Sequence, residues 1–148
     1  MIVYKKGDVL NSGETLIVHG CNCFCTMGSG IAGQIRRQYP EATFADDKTA
    51  PGDETKLGTY TWAMCKNKTV IINAYTQYKF GTDEVHADYG AIETALTQIV
   101  QDFKSFGKPI AMPKIGCGLA GGDWTVVEEI LQRIVDRYNA RFNVYEWE

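Results

Sequence analysis

Two short stretches concentrate the residues that could do chemistry. The first is "HGCNCFCTMGSGIAGQIRRQYP", His19 to Pro40, with three of the chain's five cysteines, one of its two histidines and a Gly28-Ser29-Gly30 turn ahead of a helical pattern. The second is "MPKIGCGLAGGDW", which packs Gly116, Gly118, Gly121 and Gly122 into seven residues and again runs into a helix. Glycines let the backbone turn where other residues cannot and let a ligand approach closely. The unpaired N–H groups at a helix start, with the helix dipole behind them, attract anions. One such turn could equally be tight packing alone. Two in one small chain could each hold one phosphate of a diphosphate. Neither ends in Gly-Lys-Ser/Thr, so neither has the signature of a Mg-nucleotide hydrolase.

The remaining candidates are single residues. Asp8 follows Gly7 after the first strand pattern, where a carboxylate could accept from an exocyclic amine such as that of adenine, or merely cap a turn. His19 ends an apolar strand pattern beside the first glycine turn. It reads either as a satisfied structural histidine or as an acid/base group. Cys21, Cys23 and Cys25 are spaced i, i+2, i+4, which is neither the paired C-x₂₋₄-C of a zinc site nor a redox C-x-x-C. A nucleophilic thiolate near a helix start is one reading. Small residues lining a strand end is the preferred one. The sequence calls for no metal and no cofactor.

These groups need elements to position them. Strand patterns run over Ile2–Tyr4, Thr15–His19, Thr59–Cys65, Thr69–Tyr75, Pro109–Pro113 and a closing "FNVYEW". "CKNK" predicts a hairpin between the third and fourth. Helices are predicted from Gly30 to a stop at Pro40, over Glu41–Ala50, from Asp88 to Phe106 on a three-and-four apolar spacing ended by Gly107, and from Asp123, a candidate N-cap, through Tyr138. Alternating strands and helices predict an α/β fold, a three-layer α/β/α sandwich with a mixed central sheet. The irregular segments Gly7-Asp8, Gly20–Gly30, Asn73–Gly81 and Lys114–Gly122 all fall beyond strand C-termini, where α/β sheets bind ligands.

At 148 residues, 45% hydrophobic and 22% charged, the chain reads as one domain spanning residues 1–148. A net charge of -3 argues against a protein whose main work is gripping a nucleic acid backbone. No apolar run is long enough to span a membrane. The N-terminus lacks a signal-peptide pattern, and the odd cysteine count suits a reducing compartment, so a cytoplasmic location is expected.

In order and combination these motifs resemble the macro domains, which bind ADP-ribose, over nearly the whole chain. "KGDVL" is similar to the family's opening element, which implies adenine contacts from Gly7, Asp8 and Val9. "MGSGIA" resembles the first phosphate loop, implying Gly28, Ser29, Gly30 and Ile31. "PKIGCGLAGGDW" resembles the second, implying Lys114, Ile115, Gly116, Cys117, Gly118, Leu119, Ala120 and Gly121. The nearest likeness is to the branch of ADP-ribose 1″-phosphate phosphatases and ADP-ribosyl-glutamate hydrolases. His19 and Asn22 match the phosphatase pattern His-x-Cys-Asn-Cys. The glutamate hydrolases use a lysine after the "IIN" strand, where this chain has "NAYTQYKFG", with Gln77 after Thr76 and Lys79 two residues on. Some also carry an aspartate where this chain has Ala120. The resemblance therefore implies phosphate release from ADP-ribose 1″-phosphate, with His19, Asn22 and Asp123 as the catalytic set. Removal of ADP-ribose from modified protein or nucleic acid, and a module that only binds ADP-ribose, are the alternatives.

Overall fold

The computed structural model describes residues 1–28, 30–81, 85–118 and 120–146. Its elements are β1 (Ile2–Lys6), β2 (Leu16–Cys21), α1 (Gly30–Gln38), α2 (Pro40–Asp47), β3 (Tyr60–Met64), β4 (Val70–Tyr75), α3 (Tyr89–Asp102), β5 (Ile110–Pro113), α4 (Trp124–Tyr138) and β6 (Phe142–Glu146). The sheet order is β1-β6-β5-β2-β4-β3. Every neighbouring pair is parallel except β3 with β4. This is the mixed sheet and the hairpin that the sequence predicts. The hairpin turn carries Asn67 and Lys68 at φ 59° and 57°.

Side-chain alternation along the central strands builds a core on each face. Leu16, Val18, Val70 and Ile72 point toward Ile92, Leu96 and Ile99 of α3 and Val127, Ile130 and Leu131 of α4. Ile17, Ile71 and Ala111 point the other way, toward Ile35 of α1 and Ala42 of α2. Strands covered on both faces read as unbroken apolar runs, hence "LIV" and "VII". Each fully buried Leu or Ile is worth about 1.5–3 kcal/mol of transfer free energy.

Four boundaries differ from expectation, each for a visible reason. β2 runs two residues past His19, because Gly20 and Cys21 continue the ladder opposite Ala74 and Tyr75 of β4. Pro40 opens α2 instead of merely ending α1, since its missing N–H costs nothing in a first turn. The same helix stops at Asp47, where the Asp46 carbonyl accepts from Thr49 N and Oγ1 and from Cys25 Sγ. The α3 helix gives way at Phe103, which leaves the helical path to pack on Tyr60 and Trp62 at centroid distances of 5.9 and 5.8 Å. A short 3₁₀ turn, Lys104–Phe106, then ends at Gly107 in the left-handed region. Trp147, expected to end the last strand, lies outside the described residues. Among the described residues, no helix is long and apolar enough to cross a membrane.

Candidate active site

Because β1, β6, β5, β2 and β4 run in one direction, their C-terminal ends share one edge. The segment after β1, both glycine loops and the segment after β4 all leave from that edge.

The first loop is shaped by its own side chains before any ligand arrives. Asn22 Oδ1 accepts from Phe24 N at 2.8 Å, and its Nδ2 donates to Thr26 Oγ1 at 2.7 Å. Cys25 takes a left-handed φ of 59°, and its thiol donates to the carbonyls of Asp46 and Thr49 at 3.3 and 3.6 Å. Gly28 is exposed, and its carbonyl lies against α1, where a Cβ on Gly33 would come within 3.2 Å of it. Gly30 opens α1 at φ 60°. Gly28, Gly30 and half-buried Ile31 thus stand together at the start of a nine-residue helix, as an anion cradle requires. Ser29 and Leu119 lie outside the described residues.

The second loop closes on itself. Gly122 N donates to Gly116 O at 2.6 Å, Gly121 N to Gly118 O at 3.0 Å, and Cys117 N to Lys114 O at 3.3 Å. Gly122 has no room for a side chain: a Cβ there would lie 2.5 Å from the Gly116 carbonyl oxygen. Ile115 and Ala120 are buried, so what they offer a ligand is backbone. Lys114 pairs with Glu146 at 2.9 Å and lies over the Trp124 ring, its Nζ 5.8 Å from the centroid. Asp123 is exposed and caps α4, accepting from Thr125 N at 2.9 Å, while its own N–H donates to Tyr89 Oη.

After β1, Gly7 takes φ 127° and Asp8 begins a short turn, Val9–Asn11. Asp8 accepts from Leu10 N at 3.0 Å and from Asn11 Nδ2. The capping role is therefore realised, and a carboxylate with about four acceptor sites keeps capacity for an amine. Val9 is buried, so only its backbone can face a ligand.

His19 lies deeper than its place beside the first glycine loop suggests. It is fully buried on β2, with Nε2 2.6 Å from Asn73 Oδ1. The Asn73 amide nitrogen already donates to Ala42 O and Thr61 Oγ1, so Oδ1 is the acceptor and His19 carries its proton on Nε2. Burial lowers its pKa to about 4, against a partial rise from the Asn73 bond. The chain of contacts continues from Thr61 to the Tyr75 hydroxyl and on to Asp46 Oδ1 at 2.7 Å. His19 is thus a buried, neutral strut between sheet and α2. The sequence places it one residue from Gly20 and cannot tell the two faces of the strand apart. Asn22, beyond the strand, is only half-buried. Burial likewise raises the thiols of Cys21, Cys23 and Cys117, and pushes Cys65 up to about 12, which disfavours thiolate chemistry there. Among the described residues, no group of three His, Cys, Asp or Glu is placed to hold a metal ion.

What sequence reasoning missed is the wall joining the two loops. The chain after β4 binds the first loop through Cys23 N to Tyr78 O at 3.0 Å and a Phe24–Tyr78 edge contact at 5.0 Å. Residues 86–88 bind the second loop and the sheet: His86 N and Ala87 N donate to Ala120 O, and Asp88 N donates to Thr76 O. The Ala87 methyl fills the space beside Gly116 and Gly122, 3.4 and 3.1 Å from where their Cβ atoms would be. A bridge between Gln77 and Ala87 closes the segment. Its one sequence signal was position, an irregular stretch beyond a strand end.

Comparison with known proteins places this geometry. A model of the "Macro domain" family matches residues 18–131. A 17.5 kDa protein of phage T4 from its tk-vs intergenic region is 35% identical, covering 100% of this chain and 97% of that one. An ADP-ribose 1″-phosphate phosphatase of Candida albicans is 29% identical, covering 98% of this chain and 99% of its own. A DNA ADP-ribosyl glycohydrolase of Mycobacterium tuberculosis is 29% identical over 93% of this chain, which spans 39% of that relative's length. The solved macrodomain of M. tuberculosis DarG superposes with a TM-score of 0.82 at 27% identity, covering 98% of this chain and 97% of that one. With glycine loops at the ends of β2 and β5 and a family match across both, the chain belongs to the macro domain family.

Proposed function

We propose that this protein binds ADP-ribose along the C-terminal edge of its sheet and hydrolyses a derivative substituted on the distal ribose, with ADP-ribose 1″-phosphate as the substrate. The observation that carries the reading is the pairing of two glycine loops on adjacent strands, tied to Tyr78 on one side and to His86 and Ala87 on the other. Asp8 would take the adenine amine. The backbones of Gly28–Ile31 and Gly116–Gly121 would take the two phosphates. Asn22 would face the distal ribose, and exposed Asp123 would orient water. Water would break the bond to the terminal phosphoryl group, giving ADP-ribose and inorganic phosphate. Loop N–H donors would stabilise charge on the phosphoryl oxygens in the transition state. His19 has no part in this scheme. A relative of matching span carries the phosphatase name, which supports the substrate.

A second reading, release of ADP-ribose from modified nucleic acid, has its own observation. Phe80 and Val85 are exposed on the same wall, and Phe80 makes an edge contact with Phe24 at 6.1 Å. An exposed aromatic ledge can stack a nucleobase. The deciding experiment supplies ADP-ribose 1″-phosphate, ADP-ribosylated DNA and ADP-ribosylated protein in parallel and follows phosphate and ADP-ribose separately. Phosphate release from the first substrate supports the primary reading, and ADP-ribose release from DNA alone replaces it with the second. Tight ADP-ribose binding with no turnover of any substrate reduces the protein to a binding module.

A further inference from the structure

Beneath the first glycine loop lies a lysine that neither the motifs nor the proposed chemistry uses. Lys56 ends the short turn Glu54–Lys56 and is only 6% exposed. Its Nζ donates to the Cys23 carbonyl at 3.1 Å, lies 3.6 Å from Cys25 Sγ, and sits over the Tyr75 ring, 4.7 Å from the centroid. The Cys23 carbonyl also accepts from Gly52 N at 2.8 Å, so two donors from the 52–56 segment clamp the loop at this residue. Asp46, buried nearby, attracts the ammonium from beyond ion-pair distance and is itself engaged by the Tyr75 hydroxyl. Among the described residues no carboxylate pairs directly with Lys56.

A buried ammonium is costly unless its charge is answered. Here a carbonyl, a thiol and an aromatic face answer it in part, Asp46 and Asp53 act on it from beyond ion-pair distance, and the ammonium itself stands against Cys23 and Cys25 of the loop. That loop leads to the helix N-terminus assigned to a phosphate. We infer that Lys56 is a positioning residue for the phosphate cradle, pinning the first glycine loop through the Cys23 carbonyl and setting a buried positive charge under the phosphates. The inference rests on the proposed role of that loop and adds a residue to it. Methionine at this position would keep the length and apolar stem but lose both donor and charge. Arginine would keep the charge.

The test compares adenosine, ADP and ADP-ribose, each competed against a fluorescent ADP-ribose analogue, on wild type, Lys56→Met and Lys56→Arg, with turnover measured alongside. Loss of a unit charge close below the site, weakly screened, should cost Lys56→Met roughly ten-fold in ADP and ADP-ribose affinity, with adenosine changed by less than about two-fold. KM should rise with kcat nearly unchanged, and Lys56→Arg should recover most of the loss. A folded Lys56→Met protein with an unchanged ADP-to-adenosine affinity ratio overturns the inference, as does a fall in melting temperature alone. If Lys56→Met does not fold, Asp46→Asn at pH 8 decides the matter. Removing that anion should tighten ADP relative to adenosine, and an unchanged ratio overturns the charge role. Failure of wild type to bind ADP-ribose at all is a different result, which removes the cradle reading itself.

Discussion

The burial of His19 makes a quantitative prediction about pH. In the unfolded chain the imidazole titrates near its ordinary value of 6.5, and in the folded protein near 4. As pH falls the unfolded state takes the proton first, so His19 contributes its full stability above about pH 6.5 and loses it between there and about pH 4. For those two values the linkage integral gives a loss of about 2 kcal/mol at pH 5, approaching about 3 kcal/mol below pH 4. The control is His19→Gln, whose amide N–H can still donate to Asn73 Oδ1 and which does not titrate. Urea unfolding of both proteins at pH 7.5, 6 and 5 isolates the difference. Asp46, whose carboxyl is raised mainly by burial, pulls stability the other way as pH rises. It is present in both proteins and cancels. A wild-type minus variant difference flat to within about 0.5 kcal/mol over that range refutes the reasoning. So does a stable His19→Gln protein that binds ADP-ribose normally but has lost turnover, because that would put His19 back into the chemistry.

Other substitutions probe the rest of the edge. Gly122→Ala would drive a methyl against the Gly116 carbonyl, so unfolding free energy should fall by about 2 kcal/mol and ADP-ribose affinity with it, measured by denaturation and calorimetry. Asp123→Ala should cost about 1 kcal/mol as a lost helix cap, whereas Asp123→Asn should keep the cap and lose kcat; equal kcat in Asn variant and wild type removes Asp123 from the mechanism. Hydrolysis of ADP-ribose 1″-phosphate in ¹⁸O-water should place the label in phosphate, and label on the ribose would mean attack at C1″ instead.

The elements were legible because their determinants are local. Asp123 announces α4 as an N-cap and the three-and-four apolar spacing announces α3; in the structure Asp123 accepts from Thr125 N, and Asp88 caps α3 by accepting from Ala91 N. The unbroken apolar runs of β2 and β4 announce a buried sheet, and the register between them brings the strand ends level. The two glycine loops were legible because glycine takes φ 60° at Gly30 without strain and alone fits Gly122 against a carbonyl. The burial of His19 was not legible, because chemical type and nearness in sequence say nothing of which face a strand residue takes. Gly20 faces Thr76 and Ile115, His19 the opposite side, and one residue of register separates a cleft-side position from a buried one.

Lys56 and the 76–88 segment were illegible for a different reason. Their roles exist only through long-range contacts: Lys56 with Cys23, Tyr78 with Cys23, His86 and Ala87 with Ala120. Nothing in "DETKLG" or "VHADYG" marks those partners. Yet these contacts set the distance between the two loops, and a diphosphate spanning both is sensitive to that distance. Misplacing bound groups by about an ångström can cost on the order of 100-fold in rate. Position 77 then acquires a second meaning. Where the glutamate-hydrolase pattern places a lysine, Gln77 has its Nε2 donated to the Lys79 carbonyl at 2.8 Å and its own carbonyl accepting from Cys23 Sγ at 3.6 Å. The bond to the first loop is made by the Gln77 backbone, and the side-chain amide braces the wall within itself. A lysine there could not keep the amide's planar bond to Lys79 and would bring an ammonium instead. Position 77 can therefore exchange its side-chain brace for a charge without losing the backbone bond that ties the wall to the first loop.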